Sequence, residues 1–171
     1  MPQNKVQSVY HIFRITDGTA ANTIDLLSGL DGFMLRSWRP KIAAPKGGGT
    51  WRQSALSDGR RLVAHRRDNV TDLLELEVTA AEGSALIHAT QNMRRLLEQA
   101  ADYWETGRGL PVWIEKRAKR ETASTYALIY FAQAPEDDDP YSPQYVDSDP
   151  AAMDAWNLEM EHGPWLARRR V

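Results

Sequence analysis

The spacing of apolar residues changes once, in the middle of the chain. Over Ser84 to about Glu105, the residues Leu86, Ala89, Met93, Leu96, Leu97, Ala100 and the Tyr103/Trp104 pair fall on one helical face. Arg94, Arg95, Glu98, Gln99 and Asp102 fall on the other. Ser84 suits an N-cap and Gly107 a C-terminal stop, which predicts one amphipathic helix roughly 33 Å long. A helix of that kind needs a surface to cover.

On both sides of it the period is two. Residues 71–79 alternate most clearly, with Leu74, Leu76 and Val78 against Glu75, Glu77 and Thr79, the pattern of a half-buried antiparallel strand. Residues 6–15 set Val9, Phe13 and Ile15 on one side before an Asp17-Gly18 turn. Shorter strands are expected at 24–27, 33–38 and 60–67. After the helix, Val112 and Ile114 alternate with Trp113 and Glu115. Residues 124–132 fold back as a hairpin, burying either Ala127, Ile129 and Phe131 or Tyr126, Leu128 and Tyr130. A final strand over 155–162 sets Trp156, Leu158 and Met160 inward. Two stretches break the pattern: 39–50, with two prolines and three consecutive glycines, and 134–150, with four prolines and six acids. Both read as extended loops. About seven strands and one helix without βαβ alternation predict a single domain over 1–171. Its fold class is mainly β with one long α-helix, an antiparallel β-sandwich or barrel flanked by that helix.

Composition narrows the function more than it identifies one. At 171 residues, 42% apolar and 26% charged, the chain is an ordinary globular one, and its net charge of −2 gives no global basic field for nucleic acid. No sequence-specific nucleic-acid binding and no membrane insertion are expected, since no run approaches membrane-spanning length and MPQNKVQSVYHIF lacks the apolar core of a signal peptide. Asn69-Val70-Thr71 matches a glycosylation sequon but reads as chance in that setting. The absence of cysteine removes disulfides and thiol chemistry. His11, His65, His88 and His162 share no metal-ligand spacing, and Asp137-Asp138-Asp139 lacks the alternation and glycine of a calcium loop. The glycine run beside Lys46 lacks the Gly-Lys-Ser/Thr order of a P-loop. Neither a cofactor nor a metal is expected. Glu75, Glu77, Glu159 and Glu161 are the carboxylates open to glycosidase chemistry, against a plainer role on solvent-facing strand sides. Six tryptophans are many for this length. Trp104 and Trp156 sit at core phases. Trp51, Trp113 and Trp165 are the candidates for exposed rings, in a subunit contact or stacked on sugars.

The order of certain segments carries a resemblance. DGRRLVAHRRDNVTDLLELEV leads into GSALIHATQNMRRLLEQAADYW. LPVWIEKRAKRET, YALIY, an acidic-proline loop and a closing Leu158, Glu161, His162, Trp165 follow. This arrangement, over roughly 58–166, resembles tail structural proteins of long-tailed bacteriophages, of the tail tube or distal tail (baseplate) type. The resemblance implies a non-enzymatic virion protein, made in the host cytoplasm. Such a protein assembles with copies of itself as a ring, commonly six-fold, and with other tail proteins. The candidate interface residues are Trp51, Arg66, Arg67, Trp113, Tyr141, Tyr145 and Trp165. The basic stretch 60–67 departs from the neutral or acidic lumen such a tube implies. The alternative function is a carbohydrate-binding β-sandwich module used in host recognition.

Overall fold

The computed structural model describes residues 9–40, 50–53, 60–64, 70–79, 83–133 and 153–167. Seven strands form one sheet: β1 (Tyr10–Thr16), β2 (Thr23–Asp25), β3 (Phe33–Arg39), β6 (Val70–Thr79), β7 (Trp113–Ala118), β8 (Thr125–Gln133) and β9 (Met153–His162). Their order is β2-β1-β7-β8-β9-β6-β3, and every pairing is antiparallel. β4 (Thr50–Gln53) and β5 (Arg60–Ala64) pair separately as a two-stranded sheet. β4 adds a strand where the apolar pattern shows none.

β8 joins the two halves of the large sheet. Its first residues pair with β7, Trp113 opposite Leu128, and its last pair with β9, Gln133 opposite Glu159. The two ends of the sheet also approach each other: the Leu26 N–H bonds to the Phe13 carbonyl, and the Leu35 N–H to the Leu26 carbonyl at 2.7 Å. A strongly coiled antiparallel layer results, enclosing Phe13, Ile15, Leu26, Phe33, Leu35, Leu74, Leu76 and Ile114, each at most 1% exposed. The expected inward sets of β6 (Leu74, Leu76, Val78) and β9 (Trp156, Leu158, Met160) are all buried.

The helix α1 (Gly83–Thr106) runs at the bounds its sequence predicts. Leu86, Met93, Leu96, Leu97 and Ala100 are buried in the same core as the strands, with β8 its main neighbour. It stops at Gly107, whose φ of +68° is a left-handed value that closes the last turn, the Gly107 N–H bonding to the Tyr103 carbonyl at 2.8 Å.

Three inward assignments are corrected, two of them at bulges. The β1–β7 register shifts between Tyr10 and Ile12, and Val9, expected beside Phe13 and Ile15, is 51% exposed. The β8–β9 register shifts between Ile129 and Phe131. The inserted residue reverses the alternation, so Ala127, Ile129 and Ala132 are buried while Phe131 is 51% exposed. Trp104, at a core phase of α1, is 56% exposed because the helix reaches past the core in its last turn.

Candidate interaction surface

The C-terminal residues form the first feature. After β9 the chain bends at Gly163-Pro164 and continues along β8. The Gly163 N–H bonds to the Leu128 carbonyl, and Tyr126 and Leu166 exchange both backbone bonds at 2.8 and 2.7 Å. This fixes Trp165 half-buried over Lys116, whose Nζ lies 3.7 Å from its ring centroid and 4.5 Å from that of Trp38. Burial lowers the Lys116 pKa, and the nearby Asp72 and Glu121 charges only partly restore it. Below the rings, Trp38 Nε1 donates to Asp72 Oδ2 at 2.7 Å. His162 Nδ1 faces the Gly163 carbonyl at 2.6 Å and therefore carries the hydrogen, leaving Nε2 3.1 Å from Asp72 Oδ2. Trp165 thus pins the end of the chain to the domain, and its ring is occupied by contacts within the molecule.

A second feature lies at the C-terminal end of α1. Past the β8 bulge, Tyr130 is half-buried and Phe131 exposed. Trp104 stacks on Tyr130 with ring centroids 4.1 Å apart. The Ile129 N–H bonds to the Val112 carbonyl, one residue beyond the β7–β8 pairs. Gln99 Nε2 holds Leu110 by its carbonyl at 3.0 Å. Trp104, Leu110 and Phe131 are 56%, 49% and 51% exposed, so three large apolar side chains are left in contact with water. Gly163 supports Tyr130 from beneath, where a Cβ would stand 2.5 Å from the tyrosine hydroxyl.

The residues singled out from sequence are only partly at these places. Trp165 is pinned as described. Trp113, treated there as an exposed ring, is 3% exposed, because Val112 through Glu115 are covered on both sides of β7. It offers no sugar-stacking surface. Trp51 lies in β4, opposite Leu62. Arg66, Arg67, Tyr141 and Tyr145, like most of the two expected loops, lie outside the described residues. Of the four carboxylates considered for glycosidase chemistry, Glu75 accepts a hydrogen bond from Ser37 and Glu77 pairs with Arg36, both across to β3. Glu159 is exposed on β9, with Glu161 half-buried two residues on. Among the described residues no three acids or histidines are grouped to hold a metal, and no helix is long and apolar enough to cross a membrane. The exposure of Phe131 was missed because it depends on a bulge. The Tyr130-Phe131 pair beside strictly alternating residues was its only trace in the sequence.

No protein-family model matches the chain, and no curated protein matches it in sequence. Among solved structures it is similar to the crystal structure of SPP1 Dit (gp 19.1), described as a paradigm of the hub adsorption apparatus in phages that infect Gram-positive bacteria. The TM-score is 0.43 at 15% identity, over 88% of this chain. The match spans 49% of the SPP1 protein, so this chain corresponds to about half of that one, and no function is carried over at that distance.

Proposed function

We propose that this chain is a structural subunit of a bacteriophage tail, of the tube or distal-tail type, which works by docking on copies of itself and on other tail proteins. The observation that carries the reading is a set of large apolar side chains left in contact with water, Val9, Leu30, Trp104, Leu110 and Phe131, each about half exposed or more among described residues whose other bulky side chains are mostly buried. The segment order resembling long-tailed phage tail proteins supports it, as does a rigid β-layer with one covering helix, a shape suited to a building block. Residence in the virion follows from the same reading.

Light scattering after size exclusion, followed by electron microscopy of the protein co-expressed with candidate tail partners, tests the proposal. Rings, or incorporation into tail particles, are expected. A protein that stays monomeric and joins no tail assembly overturns it.

A further inference from the structure

We infer that the two-stranded ribbon of β4 and β5 binds the phosphate backbone of double-stranded DNA without reading its sequence, a function separate from the structural-subunit role. Charge is divided unevenly along the chain. Residues 39–67 hold eight arginines and lysines against one acid, Asp58, so a stretch of net charge +7 sits in a chain whose total is −2. Six of the eight are arginine, the cation whose planar fork matches a phosphate. So one-signed a stretch keeps a local positive field even though the chain as a whole is slightly negative, and that is the electrostatic footprint of a nucleic-acid contact.

The fold sets these charges apart. Among the described residues β4 and β5 pair with each other and not with the seven-stranded sheet. In their register Arg52 stands opposite Arg61, and the next pair is Gln53 with Arg60. Like charges opposite one another on a ribbon repel, and a two-stranded ribbon alone is marginally stable, so this pairing calls for a counter-charge from outside it. The chain's own acidic stretch is anchored elsewhere. The connection that carries β4 and β5 leaves β3 at Arg39 and enters β6 at Val70, the end of the sheet where Val70 pairs with His162. Residues 134–150, with six acids, belong to the connection from β8 to β9, which re-enters the sheet where Met153 pairs with Thr79. Val70 and Thr79 are the two ends of β6, roughly 30 Å apart. DNA suits the ribbon better than an acidic protein surface does. A two-stranded antiparallel ribbon is narrow enough for the major groove, which phosphates line on both sides. A single acid among residues 39–67 leaves little to set a register on a protein surface of mixed charge. Contacts to phosphate position a protein and carry no base information, so the binding is independent of sequence.

Fluorescence polarisation of a short labelled DNA duplex tests this with the full chain, each variant being checked for folding by circular dichroism. With three phosphates neutralised, the logarithm of affinity is expected to fall with the logarithm of salt at a slope of about −2.7, a loss of roughly 40-fold between about 50 and 200 mM. A second duplex of unrelated sequence is expected to bind equally. Arg52→Gln, Arg60→Gln and Arg61→Gln combined are expected to weaken binding at least about tenfold at the lower salt and to bring the slope near zero. Arg52→Lys, Arg60→Lys and Arg61→Lys combined keep the charge and are expected to keep the slope, which separates phosphate contact from damage to the ribbon. Lys119→Gln with Arg120→Gln removes two exposed cations from the turn between β7 and β8 and is expected to leave the slope unchanged. No binding at the lower salt, a glutamine variant with the parent's slope, or displacement of the duplex by polyglutamate as readily as by unlabelled DNA each overturn the inference. Incorporation into tail particles is a separate measurement, so the structural-subunit reading stands or falls apart from these results.

Discussion

The His162–Asp72 contact is the most demanding arrangement in the chain at the scale of single residues. Both side chains are at most 1% exposed, and Asp72 also accepts from Trp38. Deleting a fully buried ring leaves a cavity and removes the Nδ1 bond to the Gly163 carbonyl, so His162→Ala is expected to lower the unfolding free energy by about 3 kcal/mol in urea titration. Gly163 is a second point of tight fit. An alanine Cβ there meets the Tyr130 hydroxyl, which must swing away and disturb the Trp104 stack. The tyrosine end is movable, so Gly163→Ala is expected to cost about 1 kcal/mol, with a change in tryptophan fluorescence. Two carboxylates set the acid limit. Burial alone would raise the Asp17 and Glu115 pKa values. Bonds from Thr19, Asn22 and Gln99 to Asp17, and from Arg14, Ser124 and Tyr126 to Glu115, outweigh it and lower both. A lowered folded-state pKa stabilises above the unfolded value and is lost as pH falls through the folded one. Urea midpoints are therefore expected to hold down to about pH 4 and decline below it, with a shallower decline in Asp17→Asn.

At the scale of elements, α1 is informative because its backbone and its charges disagree. The Gly107 stop has open space around it, so Gly107→Ala tests the left-handed φ alone and is expected to cost about 1 kcal/mol in thermal or urea unfolding. Acids in the last turn are the opposite case. Glu105→Lys restores agreement with the helix dipole and is expected to stabilise the chain by about 0.5 kcal/mol in urea unfolding. β8 shows how a strand serves two ends: regular pairing with β7 fixes it in the sheet, and the bulge before Phe131 turns that ring outward.

For the whole molecule, the coiled sheet closes between Leu26 and Leu35, which leaves α1 and its ends as the most distinctive described surface. Binding between folded copies stabilises the folded state by mass action. The thermal midpoint of the parent is therefore expected to rise between 1 and 100 µM (about two decades, on the order of a few degrees), while that of Trp104→Glu stays constant. Scanning calorimetry across that range measures it.

Much of the layout was legible before any coordinates. The 3.6-residue period of 84–105 and the two-residue periods of 71–79 and 155–162 fix a helix, two half-buried strands and their inward faces, because burial of one face selects those spacings directly. Only the folded chain decides where a register slips, and one extra residue in β8 turned Phe131 outward against its apparent phase. Likewise Trp38, Lys116 and Trp165 meet only through the sheet order, and Trp113 is hidden because β7 is covered on both sides. Local spacing records which face a segment buries, whereas contacts between distant segments depend on strand order and bulges, which leave no periodic signal.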